Sequence, residues 1–257
     1  MGYYIYENIQ ITRAFGTDCI KFLQGQLTND VTQLSFDNPT QLNALCNQKG
    51  RIIALFFMRY ISENNLLLAL PQNFSDQALQ SLRKYAVFSE ITFTDCDQYQ
   101  LVYSQSDDTN GFLLQHKICD VSQKSLPGLL SFEEVQKNNI CQQLPIIDIY
   151  NTEAFLPAEL NIDKLHVVNY QKGCFMGQEI IARMKYRGNL KKSLLSIEIE
   201  KTISIRDKLQ NLQGKNIANV VNQVNINDKS YVLALFNQAI ENTSIVLQDD
   251  IRARIIA

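Results

Sequence analysis

Glycine and proline are scarce in this 257-residue chain, ten and five respectively, which excludes a disordered, collagenous or linker-like polymer. Neither sign of charge is in excess: 24 Lys and Arg stand against 26 Asp and Glu, so the surface is not the uniformly basic kind that coats nucleic acid. The six cysteines, at 19, 46, 96, 119, 141 and 174, include no C-x-x-C pair. A secreted disulfide framework and a zinc ribbon are therefore disfavoured, and reduced thiols are expected. The longest apolar run, Ile52 to Met58, is far too short to span a bilayer. The opening MGYYIYENIQ has neither a cationic segment followed by an apolar one nor the Ser or Thr at position 6 that myristoylation wants. A cytoplasmic protein is expected. There is no P-loop, no G-x-G-x-x-G and no assembled Ser-His-Asp set, and His116 and His166 are isolated from other ligand types, so no metal site is expected.

What is present is a chain 46% hydrophobic, long enough for two domains. Thr17 and Asp18 are good helix caps, and Ile20, Leu23 and Leu27 follow on one face, predicting a helix over 18–27 closed by Thr28-Asn29-Asp30. Arg51–Ile61 and Leu66–Leu70 read as buried strands joined by a polar turn. Ser75 or Asp76 is placed to cap a second helix reaching Val87. Ile91 and Phe93, Leu101–Tyr103 and Phe112–Leu114 add short strands, and the mixture indicates an α+β domain. Residues 146–165, with Pro145 and Pro157, predict an irregular surface or linking segment. After Lys192 the pattern changes to short strands (Leu195, Ile197 and Ile199 alternating with polar residues, then Val232–Phe236 and Ile245–Leu247), predicting a small all-β barrel or sandwich. The expected division is 1–191 and 192–257.

Residues 171–188, QKGCFMGQEIIARMKYRG, carry the most chemistry. A helix is expected to start at Gly177, with Gln178 and Glu179 in its first turn. Backbone N–H groups, Lys172 and Cys174 would then surround a helix N-terminus, where the field favours anions and thiolates. From Lys172 to Lys192 six cations accompany one acid, a local charge of +5 that leaves −7 for the rest of the chain. Such concentration points to an anionic ligand or partner, although a solvated helix face is the ordinary alternative. Cys174 is the candidate reactive thiol, and the other five cysteines are read as small buried hydrophobes.

The stretch Lys172-Gly173-Cys174-Phe175-Met176-Gly177-Gln178-Glu179 resembles the K-G-C-[Y/F]-x-G-Q-E signature of the YgfZ family. Phe22 to Asp30, FLQGQLTND, resembles that family's F-L-Q-G-Q-x-T-N-D, and Cys46 to Arg51 resembles its C-x-x-K-G-R. Leu82-Arg83-Lys84-Tyr85, Phe155-Leu156-Pro157 and Asn161-Ile162-Asp163 follow in the family order. The resemblance implies a fold like the glycine-cleavage T protein: three subdomains, two α+β and a C-terminal β-barrel, in a ring around a central site for tetrahydrofolate or a derivative. It implies an accessory protein for iron–sulfur client enzymes, including tRNA-modifying ones. Cofactor-binding candidates by the same resemblance are Lys172, Gly173, Gly177, Gln178, Glu179, Arg183, Arg187, Gly25, Gln26, Asn29, Asp30, Lys49 and Arg51, with Lys49-Gly50-Arg51 read equally well as a bare turn.

Two further readings stand beside this one. A T-protein-like one-carbon transferase or demethylase needs an acid beside the folate, and at the family's R-[I/L]-E-A-G-I-P position this chain has Asn139-Ile140-Cys141-Gln142-Gln143-Leu144-Pro145, with Cys141 in place of the glutamate. The weakest reading is a nucleic-acid-binding module using Arg183 to Lys192.

Overall fold

The computed structural model describes residues 2–105, 116–122, 129–188, 190–204, 208–240 and 244–256. Two compact units emerge, each assembled from separate stretches: Met1–Leu130, Ile147–Pro157 and Asp163–Arg183 in one, Ser131–Ile146, Ala158–Ile162 and Met184–Ala257 in the other.

The first unit contains β1 (Tyr3–Ile5), β2 (Ile9–Phe15), α1 (Cys19–Gln26), β3 (Thr40–Cys46), β4 (Ile52–Ser62), β5 (Asn65–Pro71), α2 (Ser75–Arg83), β6 (Thr92–Asp95), β7 (Tyr99–Ser104) and β8 (His116–Asp120). Five strands form an antiparallel sheet in the order β3-β4-β5-β2-β6, and β1-β7-β8 form a second. The apolar run that is too short for a membrane is β4, buried from Ile52 to Met58 because both of its faces are covered. Ala54, Phe56 and Met58 pack with Phe22, Leu23, Ala78, Leu79 and Leu82 of α1 and α2. Phe57, on the opposite face by the two-residue period of a strand, stacks on the His116 ring at 4.7 Å. Burial pulls the His116 pKa down to about 3, so this histidine is a neutral core ring. The β4–β5 hairpin turns through Asn64, whose φ of 54° is the left-handed conformation asparagine tolerates.

Some local expectations need correction. Asp18 does precede α1, but its carboxylate accepts from Glu90 N (2.9 Å) and leaves the first turn of the helix uncapped. Phe74, not Ser75 or Asp76, sits at the N-cap of α2, and that helix stops at Arg83, four residues before Val87. The expected strand at Phe112–Leu114 lies outside the described residues. The irregular segment 146–165 has no helix or strand, yet it is not a bare surface run: Ile147, Phe155, Leu160 and Ile162 are buried. Phe155 O accepts from Ile52 N at 2.9 Å, where β4 begins.

The second unit contains α3 (Phe132–Cys141), β9 (Ser193–Ile199), β10 (Lys208–Gln210), β11 (Asn216–Ile226), β12 (Lys229–Phe236), β13 (Ser244–Val246) and β14 (Arg252–Ile255). Its six strands form one antiparallel sheet in the order β10-β11-β12-β9-β14-β13. A separate core of Ile197, Ile199, Val232, Ala234 and Phe236 lies on it. Ser131 and Glu134 close a reciprocal capping box at the start of α3. Ser196 and Glu198 of β9 are buried rather than solvated: Ser196 Oγ donates to Ile140 O at the end of α3. Glu198 accepts from Lys229 (3.0 Å) and Arg254 (3.2 Å). Helix α4 (Gln178–Arg187) runs across the sequence boundary between the two units at 183/184. No helix of the described residues is long and apolar enough to cross a membrane.

Candidate functional site

Three stretches far apart in sequence meet in the first unit. The end of α1 and the turn that follows form the first. Thr28 Oγ1 donates to Val167 O (2.7 Å), and Asn29 Nδ2 donates to both Leu42 O (3.0 Å) and His166 O (2.8 Å). Asp30 accepts from Gln24 Nε2 (2.9 Å), Thr32 N (3.2 Å) and Thr32 Oγ1 (2.6 Å). Burial alone would raise the Asp30 pKa, but these hydrogen bonds and the charge of Lys172 outweigh it and hold it below the ordinary carboxylate value. Asn29 and Asp30 are therefore engaged in bracing the turn.

The second stretch arrives beneath it. Asn169 N donates to Thr28 O (2.9 Å), and the Asn169 carboxamide accepts from Gln171 N and Lys172 N. Lys172 is buried; its ammonium donates to Leu27 O (2.8 Å) and Asn29 O (2.6 Å) and lies 5.3 Å above the Phe175 ring. Burial pulls its pKa down to about 8 against an upward pull from Asp30. Lys172 thus satisfies carbonyls left open at the C-terminal end of α1, where cations are favoured. Met176 N completes the seam by donating to Gly25 O at 3.1 Å.

The third stretch is the Asn47–Gly50 turn. Asn47 Oδ1 accepts from Lys49 N (2.9 Å) and Arg51 N (3.0 Å), and Gly50 N donates to Asn47 O (2.9 Å). Gly177 (φ 78°) abuts this turn: a Cβ on it would lie 2.6 Å from Asn47 O and 2.9 Å from Gly50 Cα. A Cβ on Gly50 (φ 71°) would lie 3.1 Å from Ile180 Cβ. Two glycines, 127 positions apart, interlock where α4 starts.

Between these stretches opens a cleft of about 500 Å³ lined by Gly25, Gln48, Cys174, Phe175, Met176, Gly177, Gln178, Glu179 and Ile180. It is open to solvent rather than enclosed, and its lining is mixed: Phe175, Met176 and Ile180 are apolar, and Gln48, Gln178 and Glu179 are polar. Cys174 is exposed there. By contrast Cys19, Cys46 and Cys96 are buried, and burial drives the Cys19 pKa up to about 12 and that of Cys46 higher still. Cys119 and Cys141 are only half-buried, so the expectation of five buried cysteines holds for three. Desolvation raises both of these thiols as well.

Gly25 differs from the interlocked pair. It lies inside α1 without a left-handed φ, and a Cβ added to it would meet nothing within 4 Å. Neither packing nor backbone conformation demands glycine here, and a side chain would project into open space beside the cleft. Next to it, Gln26 Oε1 is buried with no hydrogen-bond partner among the described residues. Gly173 likewise has free space around the position of a Cβ. Arg183 is exposed one helical turn beyond Glu179 on the same face, and Lys49 is exposed next to Gln48. Arg51 instead donates to Ala154 O. Arg187 is exposed two turns beyond Glu179, in the last turn of α4. The residues that reasoning from sequence overlooked are Gln48, Phe175, Met176 and Ile180, which line the cleft; all but Ile180 stood inside recognised motifs.

No family model matches the chain. It is 30% identical over 241 residues to the tRNA-modifying protein YgfZ of Pectobacterium atrosepticum, covering 78% of this chain and 72% of that one. Over 280 aligned positions it is 27% identical to the protein of the same name from Yersinia pseudotuberculosis, covering 91% and 84%. An uncharacterized Haemophilus influenzae protein is 28% identical over 206 residues, 74% of this chain and 71% of the relative. The fold is that of the aminomethyltransferase T of the glycine cleavage system from Bartonella henselae, with a TM-score of 0.76 over 100% of this chain and 85% of the other, at 12% identity. With three motifs folded onto one cleft and a relative of that name matched at this identity over more than two thirds of its length, the chain belongs to the YgfZ family.

Proposed function

We propose that the protein binds tetrahydrofolate or a derivative in the Gly25–Cys174 cleft and acts as an accessory factor that assembles, repairs or protects the clusters of iron–sulfur enzymes, tRNA-modifying ones included, with Cys174 as its reactive group. The observation that carries this reading is the bare edge of α1 at Gly25, open beside an exposed thiol, where a flat ring can approach the backbone. The donor set fits the group. Phe175, Met176 and Ile180 offer apolar walls for a pterin, Gln48, Gln178 and Glu179 offer partners for its polar edge, and Lys49 and Arg183 are cations within reach of the rim for an anionic tail. When bound, the folate would supply N5 and N10 as carriers of one-carbon units. The chain's own residues hold the ring's approach open at Gly25, fix the thiol between the anchors at Lys172 and Met176, and leave its sulfur facing solvent.

A lone cysteine cannot hold a cluster, which takes about four ligands, so cluster chemistry is shared with the client. The same reading includes the three-subdomain ring with its C-terminal barrel and a cytoplasmic site of action. Titration of the purified protein with tetrahydrofolate, for wild type and Gly25→Val, tests the ligand: saturable binding that the valine abolishes is expected, and no binding by wild type ends the folate reading. In cells, Cys174→Ser is expected to retain folate affinity and to lose the activity of cluster-dependent tRNA-modifying enzymes. Formation of methylene-tetrahydrofolate from a one-carbon donor by the purified protein would instead establish the transferase reading.

A further inference from the structure

Residues 83–88, RKYAVF, form the most exposed apolar feature of the first unit close to the cleft. Phe88 is 100% exposed and Val87 74%, while Tyr85 is 37% exposed. A soluble surface rarely leaves such a cluster uncovered without a reason. The turn that presents it is held by its own backbone: Tyr85 N donates to Leu82 O (3.0 Å), Ala86 N to Arg83 O (3.1 Å) and Ser89 N to Ala86 O (2.9 Å). Its far end is anchored at Glu90, whose N donates to Asp18 Oδ2 (2.9 Å) and whose carboxylate accepts from Thr17 Oγ1 (2.7 Å). The Phe88 side chain is thus offered to solvent by a fixed turn, the arrangement that makes an anchor residue effective.

Two further facts define what covers it. Gln48 Nε2 donates to Tyr85 OH (3.3 Å), and Gln48 lines the cleft beside Cys174, so the turn adjoins the mouth of the site. The exposed charges of the turn itself are cationic, Arg83 and Lys84, with Lys49 beside Gln48; at its far end the exposed Glu90 carboxylate accepts from Thr17 Oγ1 and the half-buried Asp18 carboxylate accepts from Glu90 N, so the cations lie at the end of the turn nearer the cleft and outnumber the exposed acid there. We infer that the Tyr85–Phe88 turn is a docking anchor for a protein partner that presents an apolar pocket rimmed by carboxylates, and that a partner seated there brings its own reacting group over Cys174. The identity of that partner as an iron–sulfur client rests on the function proposed above; the surface does not. An anionic membrane would satisfy Phe88 and the cations, but the Gln48–Tyr85 bond places the anchor where a partner meets the thiol, which favours a protein.

The test uses the full chain as the only copy in cells. Val87→Asp with Phe88→Asp is expected to lower the activity of cluster-dependent tRNA-modifying enzymes about tenfold, in line with loss of an interface anchor. Tetrahydrofolate affinity and the rate of Cys174 alkylation by iodoacetamide should stay within about twofold in the purified variant, since neither residue lines the cleft. Arg83→Glu with Lys84→Glu, a second variant at exposed positions, should give a similar loss that eases at low ionic strength only when a partner carboxylate is also reversed. Full client activity in both variants overturns the proposal, and so does Phe88-dependent binding of the wild type to phosphatidylglycerol vesicles with no change in client activity. If Cys174→Ser abolishes client activity and the Phe88 variant does not, the docking surface falls while the accessory function stands. If Cys174→Ser is silent and the Phe88 variant is inactive, the surface stands and the thiol role falls.

Discussion

The two sides of the cleft use glycine for opposite reasons. On the side of the Asn47–Gly50 turn, Gly50 and Gly177 both adopt left-handed backbone and sit so close that neither could carry a Cβ without moving its neighbours. On the side of α1, Gly25 is helical and has empty space where its side chain would be. The pair is required by the fold, the third glycine by nothing among the described residues. A residue that weakens a helix and contacts nothing is best explained by what approaches from outside.

That contrast can be broken most severely at the interlocked side. Gly177→Ala should destabilise the chain by on the order of 3 kcal/mol, from the positive φ and the displacement of the Asn47 carbonyl, as read by urea denaturation. At the open side the signs separate. Gly25→Ala should stabilise by about 0.5–1 kcal/mol, the helix-propensity difference, while Gly25→Val is expected, on the proposed folate reading, to remove tetrahydrofolate binding without unfolding the chain. Loss of stability at Gly25→Ala would dissolve the comparison.

Lys172→Met sharpens the seam between the two sides. It leaves Leu27 O and Asn29 O without their donor and should cost about 1–3 kcal/mol near neutral pH. Because the folded Lys172 pKa, about 8, lies below the ordinary lysine value of 10.5, the unfolded chain holds a proton there that the folded chain has released. The Lys172 contribution to stability therefore rises between those two values, and the methionine variant should lack that rise in a pH series of melts. The smallest effect belongs to Asp30. Its lowered pKa contributes stability above the ordinary carboxylate value of 3.8 that is lost as pH falls through the folded one, and Asp30→Asn should flatten that acid limb at a cost of about 0.5–1 kcal/mol.

Much of this was legible in the residues. Helix α1 and strands β4, β5, β9 and β12 announce themselves through periodicity, because each carries an apolar pattern long enough to register. The buried Ser196 and Glu198 did not, since alternation reveals which residues are polar and not whether Ile140, Lys229 and Arg254 will come to meet them. Strand β3 and helix α3 were missed because Asn43 and the run Lys137-Asn138-Asn139 interrupt their apolar faces. The candidate site was readable as three motifs, but not the division of labour among their residues. The family resemblance made Asn29, Asp30 and Lys172 ligand-binding candidates, and all three are engaged with the chain's own backbone or neighbouring side chains. The interleaving of segments between the two units has no compositional signature.

Between the ammonium of Lys172, fastened to the turn that follows α1, and the amide of Met176, fastened to α1 itself, only three residues form the arch that carries Cys174. A span that short has almost no reach. If Cys174 is the reactive group proposed above, chemistry at its sulfur would be paced by delivery rather than by any swing of the arch, and reactants would be sorted by their ability to travel the last few ångströms to it.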